Sequence, residues 1–289
     1  MAQADISLLQ QLGSNSCPYH DPLTYIDWSA LNTSDYWLPP SAISLHGLAE
    51  FEQLPEATKK RLSQYEFIAF IQAGLWLESL FIRRLGERLN ETRSLTQHAY
   101  HLHEIREEAG HSLMFLQLIE RSGLYLPGAW QRPPRLADFL GRYAPVGSAL
   151  FWLAVAIGEE LPDKLNRHVR VHGGAAVNAT IAQMCTLHII DEARHIAHAR
   201  SALESAVAAM GSVHKRALSP VIALLLRQFV RAFYVPSAEV YELAGLTPGS
   251  HWRGLAHNNP ARREFVGQCV APTLNLLRGH GFTLVLPTL

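Results

Sequence analysis

The 289-residue sequence predicts an all-α protein. Four long segments carry apolar residues at helical spacing and contain little Gly or Pro. The alternation of polar and apolar residues that is typical of a half-buried strand does not occur before FTLVLP, at 282–287. A longer, proline-rich connection separates the second helical segment from the third. Together these observations predict a helical bundle with one crossover connection.

The first 54 residues differ from the rest in composition. They are rich in Pro, Ser, Asn, Asp and aromatic residues and show little periodicity, which predicts an irregular N-terminal arm packed on a core. Residues 55–289 then form the helical domain, and arm and helices together form a single domain.

Five helices are predicted in chain order by periodicity and by their flanking residues. Their ranges are about 55–89, 94–121, 145–172, 175–210 and 220–243. The second helix has Ser94 as a plausible N-cap and ends at Gly123, and the third has a kink at Pro162. The connection LYLPGAWQRPPRL, 124–136, contains three prolines and cannot be helical throughout. Four long helices with one longer connection match the ferritin-like layout.

Composition excludes several classes of function. Lys plus Arg equals Asp plus Glu, at 25 each, so nothing suggests a nucleic acid or an anionic membrane as a partner. Three distant cysteines without CxxC spacing argue against a disulfide framework and fit a reducing cytoplasm. The start, MAQADISLLQQLG, does not resemble a signal peptide. The strongly apolar, uncharged stretch 143–158 is shorter than the roughly 20 residues that span a bilayer, which predicts buried helices and no membrane partner.

The segment CTLHIIDEARHIAHA, 185–199, carries the first functional signal. His188, Glu192 and His195 stand at relative positions 0, 4 and 7, which places them at roughly 0°, 40° and −20° around a helix. The same face carries Cys185 and Ala199, so it points inward. Two imidazoles and a carboxylate in a core cost several kcal/mol unless they have a partner, and a metal is such a partner.

The second predicted helix repeats this pattern in EIREEAGHS. Glu104, Glu108 and His111 have the same 0, 4, 7 spacing, so both helices contain Glu-x-x-His. Di-iron carboxylate bundles combine two such motifs with one Glu from each of the two other helices. The sequence therefore predicts a two-metal site between four helices.

The other two helices supply candidate glutamates. Glu78 lies in the apolar LWLESLF, and FWLAVAIGEELP contains both Glu159 and Glu160. Glu160 shares a stripe with Ile157 and Glu159 shares one with Trp152, so both face apolar residues; Glu160 is preferred. The predicted ligands are Glu78, Glu108, His111, Glu160, Glu192 and His195, with His188 as a seventh. Four glutamates offset the charge of two divalent cations, and this donor set suits Fe or Mn.

Acidic residues next to the motifs predict the surroundings of the ligands. Metal-bound histidines usually donate their second N–H to a carboxylate or carbonyl. Our hypothesis is that Asp191 orients His111 and that Glu107 orients His195 across the bundle. Glu104 occupies the position equivalent to His188 and is expected to face the site as an acid or a polar contact.

Other chemistry-bearing residues have a plainer interpretation. The cluster His98, His101 and His103 shares no single face and predicts solvated side chains, and His198 predicts a bystander or an outer neighbour of the site. Arg231 either meets an anionic substrate group or lies on a solvated face. Several aromatic residues either line a pocket or fill the core: Trp76, Phe81, Phe115, Phe229, Phe233 and Tyr234.

These motifs resemble the p-aminobenzoate N-oxygenase family of di-iron monooxygenases. The similar pattern is Glu, E-x-x-H, Glu and then H-x-x-x-E-x-x-H, whose first histidine is the specific part because ordinary ferritin-like sites lack it. The segments YIDWSAL, WLPPSAISLHG and LPEATKKRLSQYE of the arm are also similar, and the resemblance covers roughly 20–240.

The resemblance implies a ferritin-like homodimer with two iron ions that are reduced and then bind O2. It implies oxidation of a small-molecule amine, free or carrier-bound, to hydroxylamine, nitroso or nitro product in secondary metabolism. Glu108 and Glu192 are then bridges, and the three histidines are terminal donors, with Glu78 and Glu160 completing the coordination. The sequence shows no flavin, nicotinamide or iron–sulfur motif, so the external electron donor is expected to be a separate reductase or ferredoxin, or hydrogen peroxide takes its place.

Three alternatives use the same residues. A di-iron enzyme that oxidises carbon, by hydroxylation, desaturation or oxidative cleavage, has the same ligands. A radical-generating ribonucleotide reductase subunit is disfavoured because Phe115, and not a Tyr, follows His111 by one turn. A non-enzymatic iron or manganese store would form a large hollow oligomer with far more than two metals per chain.

Overall fold

The computed structural model describes residues 3–92, 94–128 and 133–285. Within these ranges the chain is helical without a strand, and its only extended pairing is an isolated bridge between Tyr36 and Val177. The helices are α1 (Gln3–Asn15), α2 (Pro22–Tyr25), α3 (Ala49–Glu52), α4 (Glu56–Glu91), α5 (Leu95–Ser122), α6 (Arg135–Tyr143), α7 (Ala149–His172), α8 (Ala179–Ala208), α9 (Ser212–Tyr234), α10 (Ala238–Leu243), α11 (Gly249–Asn258) and α12 (Pro260–Gly279). The all-α prediction is confirmed.

Four long helices form the bundle that was predicted. α4 packs along α5, and α7 packs along α8, so two antiparallel pairs enclose the core. The predicted boundaries of α5 are confirmed, since the Ser94 hydroxyl accepts from the Gln97 N–H at 3.4 Å and Gly123 ends the helix with φ of +62°. α7 continues through Pro162.

The fifth predicted helix is corrected at both ends. α9 begins at Ser212, before Pro220, and ends at Tyr234. Pro236 follows directly, and a proline disfavours helical geometry in the residue before it, so the chain breaks and restarts as α10. α9 packs against α7 and α4 and closes one side of the bundle.

The N-terminal arm is only partly irregular, which corrects the prediction. Its first residues form α1, whose Leu9 and Leu12 pack with Tyr100 of α5 in a small separate cluster. The rest of the arm has few helical turns but fills the main core with Trp37 and Leu45, both 0% exposed. Tertiary contact therefore orders the arm.

Three helices beyond the arm were not predicted. α6 lies in the proline-rich connection, of which 129–132 fall outside the described residues, and α11 and α12 follow α10. α12 packs on α7, so the C-terminal segment covers the bundle helix that carries Glu159 and Glu160.

Two helical segments are long and apolar enough to cross a bilayer, Glu56–Glu91 and Ser212–Leu243. The interior of the protein buries 61% of the most apolar window of the first and 44% of that of the second. Core helices of a bundle have the same composition, so the absence of a membrane partner stays a prediction.

Candidate metal centre

Seven side chains from α4, α5, α7 and α8 meet at the centre of the bundle. They form two groups whose donor atoms all lie within 4.8 Å of one another. The first group is Glu78, His111, His188 and Glu192, and the second is Glu108, Glu159, Glu192 and His195. Glu192 belongs to both groups, and every member is buried.

Two carboxylates lie between the histidines. The two oxygens of Glu108 are 3.3 Å from His111 Nδ1 and 3.3 Å from His195 Nδ1. Glu192 Oε1 lies 3.6 Å from each of the same two nitrogens and 3.7 Å from His188 Nε2. Both carboxylates are therefore placed to bridge two cations, the role that the family resemblance implies for them.

The choice of Glu160 over Glu159 is wrong in the structure. Glu159 contributes its carboxylate to the second group, whereas Glu160 points away from it. The Glu160 carboxylate accepts from Arg200 Nε at 2.7 Å and from Thr273 Oγ1 at 2.8 Å, so it is already paired. The two adjacent residues lie about 100° apart around the helix, and only one of them faces the cluster.

The predicted partners of the two histidines are in place. Asp191 Oδ2 lies 3.3 Å from His111 Nε2, and Glu107 Oε2 lies 2.9 Å from His195 Nε2. These contacts leave the Nδ1 atoms of both rings facing the cluster. One guanidinium joins the two acids, because Arg194 Nη2 donates to Glu107 Oε1 at 2.8 Å and to Asp191 Oδ1 at 2.5 Å. The sequence analysis missed Arg194, although it follows Asp191 by three residues on one helix.

His188 faces the cluster through its other nitrogen. Its Nε2 lies 3.6 Å from Glu78 Oε1, and its Nδ1 lies 3.1 Å from the Asn166 carboxamide of α7. Its ring stacks on His111, at 4.3 Å between centroids, and on Phe115, at 5.7 Å. Asn166 was not predicted; its 3% exposure in a helix interior is the only signal, and burial is not visible in sequence.

The carboxyl groups of the cluster differ in the direction in which their pKa values are shifted. Burial raises the pKa of Glu78 well above its usual value, and the negative charge of Glu108 raises it further. Burial and the charge of Glu192 do the same for Glu159. Burial alone would also raise the pKa of Glu108, but the imidazole of His195 outweighs burial and holds that pKa well below its usual value. In the metal-free cluster Glu78 and Glu159 therefore hold a proton more readily than Glu108 does.

The pKa values of the histidines are also shifted in two directions. Burial lowers the pKa of His111, but its contacts with Asp191 and Glu108 outweigh burial and raise the pKa to about 10. The charge of Glu108 likewise overcomes burial and raises the pKa of His195. For His188 burial prevails, and the neighbouring His111 adds to it, so that its pKa falls to about 4.

The donor set balances the charge of two divalent cations. Its four glutamates carry four negative charges when deprotonated, and two divalent cations carry four positive charges. Binding of both ions therefore leaves the buried site neutral, which avoids the cost of an unpaired buried charge.

Buried polar atoms without a hydrogen bond also fit a pair of metal ions. Glu108 Oε1, Glu192 Oε2 and His195 Nδ1 are fully buried and form no hydrogen bond among the described residues, although Glu108 Oε1 lies 3.3 Å from His195 Nδ1. A buried polar atom without a hydrogen bond costs about 1–3 kcal/mol, so these three atoms favour a further partner at this point. Carboxylate oxygens and imidazole nitrogens are the donors that Fe and Mn accept, so the residues present fit two such ions.

A second histidine group lies beside the first, and it corrects two predictions. His101 is not solvated but 0% exposed, with its Nε2 3.3 Å from Arg88 Nε. Glu104 does not enter the metal cluster; its oxygens lie 3.6 Å from His101 Nδ1 and 3.3 Å from His198 Nδ1. His101, Glu104 and His198 thus form a third group of close donor atoms, in which the charge of the nearby Arg88 opposes that of Glu104.

A small cavity adjoins the cluster on the side of α9, and a larger one lies beyond it. A cavity of about 20 Å³ lies directly beside Glu78, Glu159 and His188, with apolar walls. A larger one, of about 390 Å³, extends between α4 and α9 toward the surface. Trp76 and Phe233 line the larger cavity, so they form a pocket wall, and Arg231 lies on its exposed part.

Relatives and solved structures agree with this architecture. Uncharacterized protein Rv0885 of Mycobacterium tuberculosis and uncharacterized protein Mb0909 of Mycobacterium bovis are each 25% identical over 270 residues, 90% of this chain and 78% of theirs. A structure of an R2-like ligand-binding oxidase mutant with a Mn/Fe cofactor has a TM-score of 0.60 at 15% identity and covers 96% of this chain and 94% of its own. Another structure of such an oxidase with a Mn/Fe cofactor has a TM-score of 0.57 at 14% identity, over 97% and 93%.

These structures share the ferritin-like fold of the chain, and at such identity the likeness concerns the fold alone. The sequence profile of the family described as P-aminobenzoate N-oxygenase AurF matches residues 4–281, nearly the full length. The chain therefore belongs to the p-aminobenzoate N-oxygenase AurF family.

Proposed function

We propose that the chain is an O2-dependent di-iron oxygenase that oxidises the amine nitrogen of a small molecule. The observation that carries the proposal is the pair of buried four-residue groups that share Glu192. In balanced form the first step converts an amine, O2, two electrons and two protons into a hydroxylamine and water. Because no electron-carrying motif was found in the sequence, a separate reductase or ferredoxin supplies the electrons. We expect a cytoplasmic homodimer.

Each group would hold one ion. Glu78, His111 and His188 serve one position, Glu159 and His195 serve the other, and Glu108 and Glu192 lie between both. Two reduced iron ions held by these residues would supply the electrons with which O2 is activated for oxygen insertion. The positions are unequal, because the first has two imidazoles and the second has one.

The protein itself orients the ligands and excludes water from the site. Asp191 and Glu107 hold the two imidazoles in one orientation, so that their Nδ1 atoms face inward. The 20 Å³ cavity beside the ligands has room for little more than one water, and Leu77, Phe81 and Phe115 exclude more. A dry, preorganised site strengthens the electrostatic interactions inside it and suppresses side reactions with water.

Iron is proposed over manganese on the resemblance to di-iron oxygenases. The R2-like oxidases carry Mn/Fe, and carboxylate with imidazole suits both metals, so the metal must be measured. The purified protein is analysed for Fe and Mn, and we expect about two ions per chain. A content far above two, in a large hollow oligomer, would instead indicate a metal store.

Activity is tested after metal loading. The protein is reduced anaerobically and mixed with O2 and a panel of amines, and the products are examined by mass spectrometry with ¹⁸O2. We expect the label on nitrogen, as hydroxylamine, nitroso or nitro product. Label on carbon, or desaturation, would replace N-oxygenation by carbon oxidation at the same centre. Loaded protein that consumes no O2 would contradict the proposal.

A further inference from the structure

The larger cavity has the size and the position of a substrate chamber. Its volume of about 390 Å³ lies within the roughly 300–1,000 Å³ of small-molecule sites, and Leu38, Trp76 and Leu165 give it a largely apolar wall. Phe70 and Phe233 line both this cavity and the small one at the metal cluster. Their rings meet edge to face with centroids 5.6 Å apart, so these two side chains separate the chamber from the candidate ligands.

Two neutral residues of the chamber wall have a buried polar atom without a hydrogen-bond partner among the described residues. Gln72 of α4 is 2% exposed and lines the chamber, and its Nε2 has no partner among the residues that the structure covers. Ser237, at the start of α10, also lines it, and its buried Oγ has no partner there either. Buried amides are normally paired, so an unpaired one in a ligand cavity indicates an acceptor supplied by the ligand.

The charged wall residues are already engaged. Arg262 donates to the carbonyl oxygens of Ala42, at 2.6 Å, and Tyr234, at 2.7 Å, and its charge offsets the buried Glu66. Both oxygens of Glu66 accept from Ser44. Although Arg262 Nε is unpaired, its positive charge is balanced within the wall.

Two further arginines of the lining, Arg135 and Arg231, are exposed to solvent. Their charges are screened by water and belong to the rim of the chamber. The deep wall near α4 therefore offers neutral donors and no free cation among its described residues.

We propose that Gln72 donates a hydrogen bond to an uncharged acceptor on the substrate, so that the chain selects neutral amines over anionic ones such as aminobenzoates. This inference rests on the proposed function. Gln72 lines the chamber, and Phe70 and Phe233 lie between the chamber and the small cavity at the metal cluster. A substrate whose acceptor meets Gln72 is therefore held on the chamber side of these two rings.

Binding of three matched probes tests the proposal without turnover. 4-Aminoacetophenone has a neutral acceptor, 4-aminobenzoate an anionic one and 4-isopropylaniline none, and the three have the same number of non-hydrogen atoms. Binding to the full-length protein loaded with Zn²⁺, which has no redox chemistry, is measured by calorimetry and by quenching of tryptophan fluorescence, since Trp76 lines the chamber. We expect 4-aminoacetophenone to bind about tenfold more tightly than either of the others.

Variants test whether Gln72 causes this preference. Gln72→Leu should reduce the affinity for 4-aminoacetophenone to that for 4-isopropylaniline, and Gln72→Met, which is closer in shape, must do the same if Gln72→Leu does not fold. Gln268→Leu is the control, because Gln268 lies exposed on α12 and donates only to Glu264. Tightest binding of 4-aminobenzoate, or a preference that survives both Gln72 variants, would overturn the proposal. Failure of the proposed function would instead appear as a lack of O2 consumption by iron-loaded wild type while this preference persists.

Discussion

The adjacent residues Glu159 and Glu160 provide the sharpest test of the metal centre. We expect Glu159→Gln to remove metal without weakening the fold and Glu160→Gln to do the opposite. The Glu159 carboxyl is buried near the charges of Glu192 and Glu108 and its pKa is raised, so a neutral amide suits the metal-free cluster at least as well. The metal loses a ligand, which should cost more than the roughly 10–100-fold in affinity that loss of an outer hydrogen-bond partner costs.

Glu160→Gln changes contacts outside the cluster. The carboxylate accepts from Arg200 and Thr273, and a hydrogen bond to a charged group contributes about 1.5–3 kcal/mol. Arg200 is 47% exposed, so solvent screening reduces its share. The amide still accepts from one partner, which leaves an expected loss of about 1–2 kcal/mol, or roughly 2–6 °C in Tm.

The two variants are compared by metal analysis and by thermal unfolding with and without added Fe(II). Wild type should gain stability on loading, because a ligand that binds only the folded state stabilises it. Glu159→Gln should lose much of that gain and keep the metal-free Tm, whereas Glu160→Gln should keep the gain at a lower Tm. The reverse pattern, with metal lost from Glu160→Gln alone, would refute our assignment of the ligand.

Three other predictions concern the cluster and its packing. Metal loading should weaken as pH falls, because protons compete with the metal for groups whose pKa is raised, such as His111. Metal affinity is measured by titration at several pH values, and loading that is independent of pH would contradict the assignment of these groups as ligands. Asp191→Asn and Glu107→Gln should each weaken metal binding by roughly 10–100-fold in competition with a chelator, and unchanged affinity would remove their orienting role. Gly74→Ala should destabilise the protein, because the added Cβ would lie 2.9 Å from the Phe115 ring. Overpacking costs about 1–3 kcal/mol, which exceeds the gain of about 1 kcal/mol in helix propensity. Chemical unfolding measures the change, and a more stable variant would show that the ring moves aside at little cost.

Helical periodicity made much of the bundle and the site predictable. Spacing of 0, 4 and 7 on two helices fixes which side chains share a face, so the meeting of Glu108 and His111 with Glu192 and His195 follows from the sequence once the helices pair. The contacts of Asp191 and Glu107 follow for the same reason, because each acid precedes a motif by one residue and points to the opposite helix.

The errors arose where tertiary contact decides. Glu159 and Glu160 both face apolar residues within their own helix, and what separates them is Thr273, on a helix that the sequence analysis did not predict. His101 was predicted to be solvated because the three neighbouring histidines share no single face, yet it lies between Arg88 of α4 and His198 of α8. α1 was missed because a helix of 13 residues is marginal alone and depends on the surface of α5 on which it packs.

The position of Arg194 has a consequence for robustness. One guanidinium holds the acid behind His111 and the acid behind His195, so the two metal positions share a single support. Loss of that arginine would leave two buried carboxylates repelling each other and disturb both imidazoles at once. Substitution of Arg194 would therefore weaken metal binding at both positions together, and protein with one metal ion per chain would be a rare outcome.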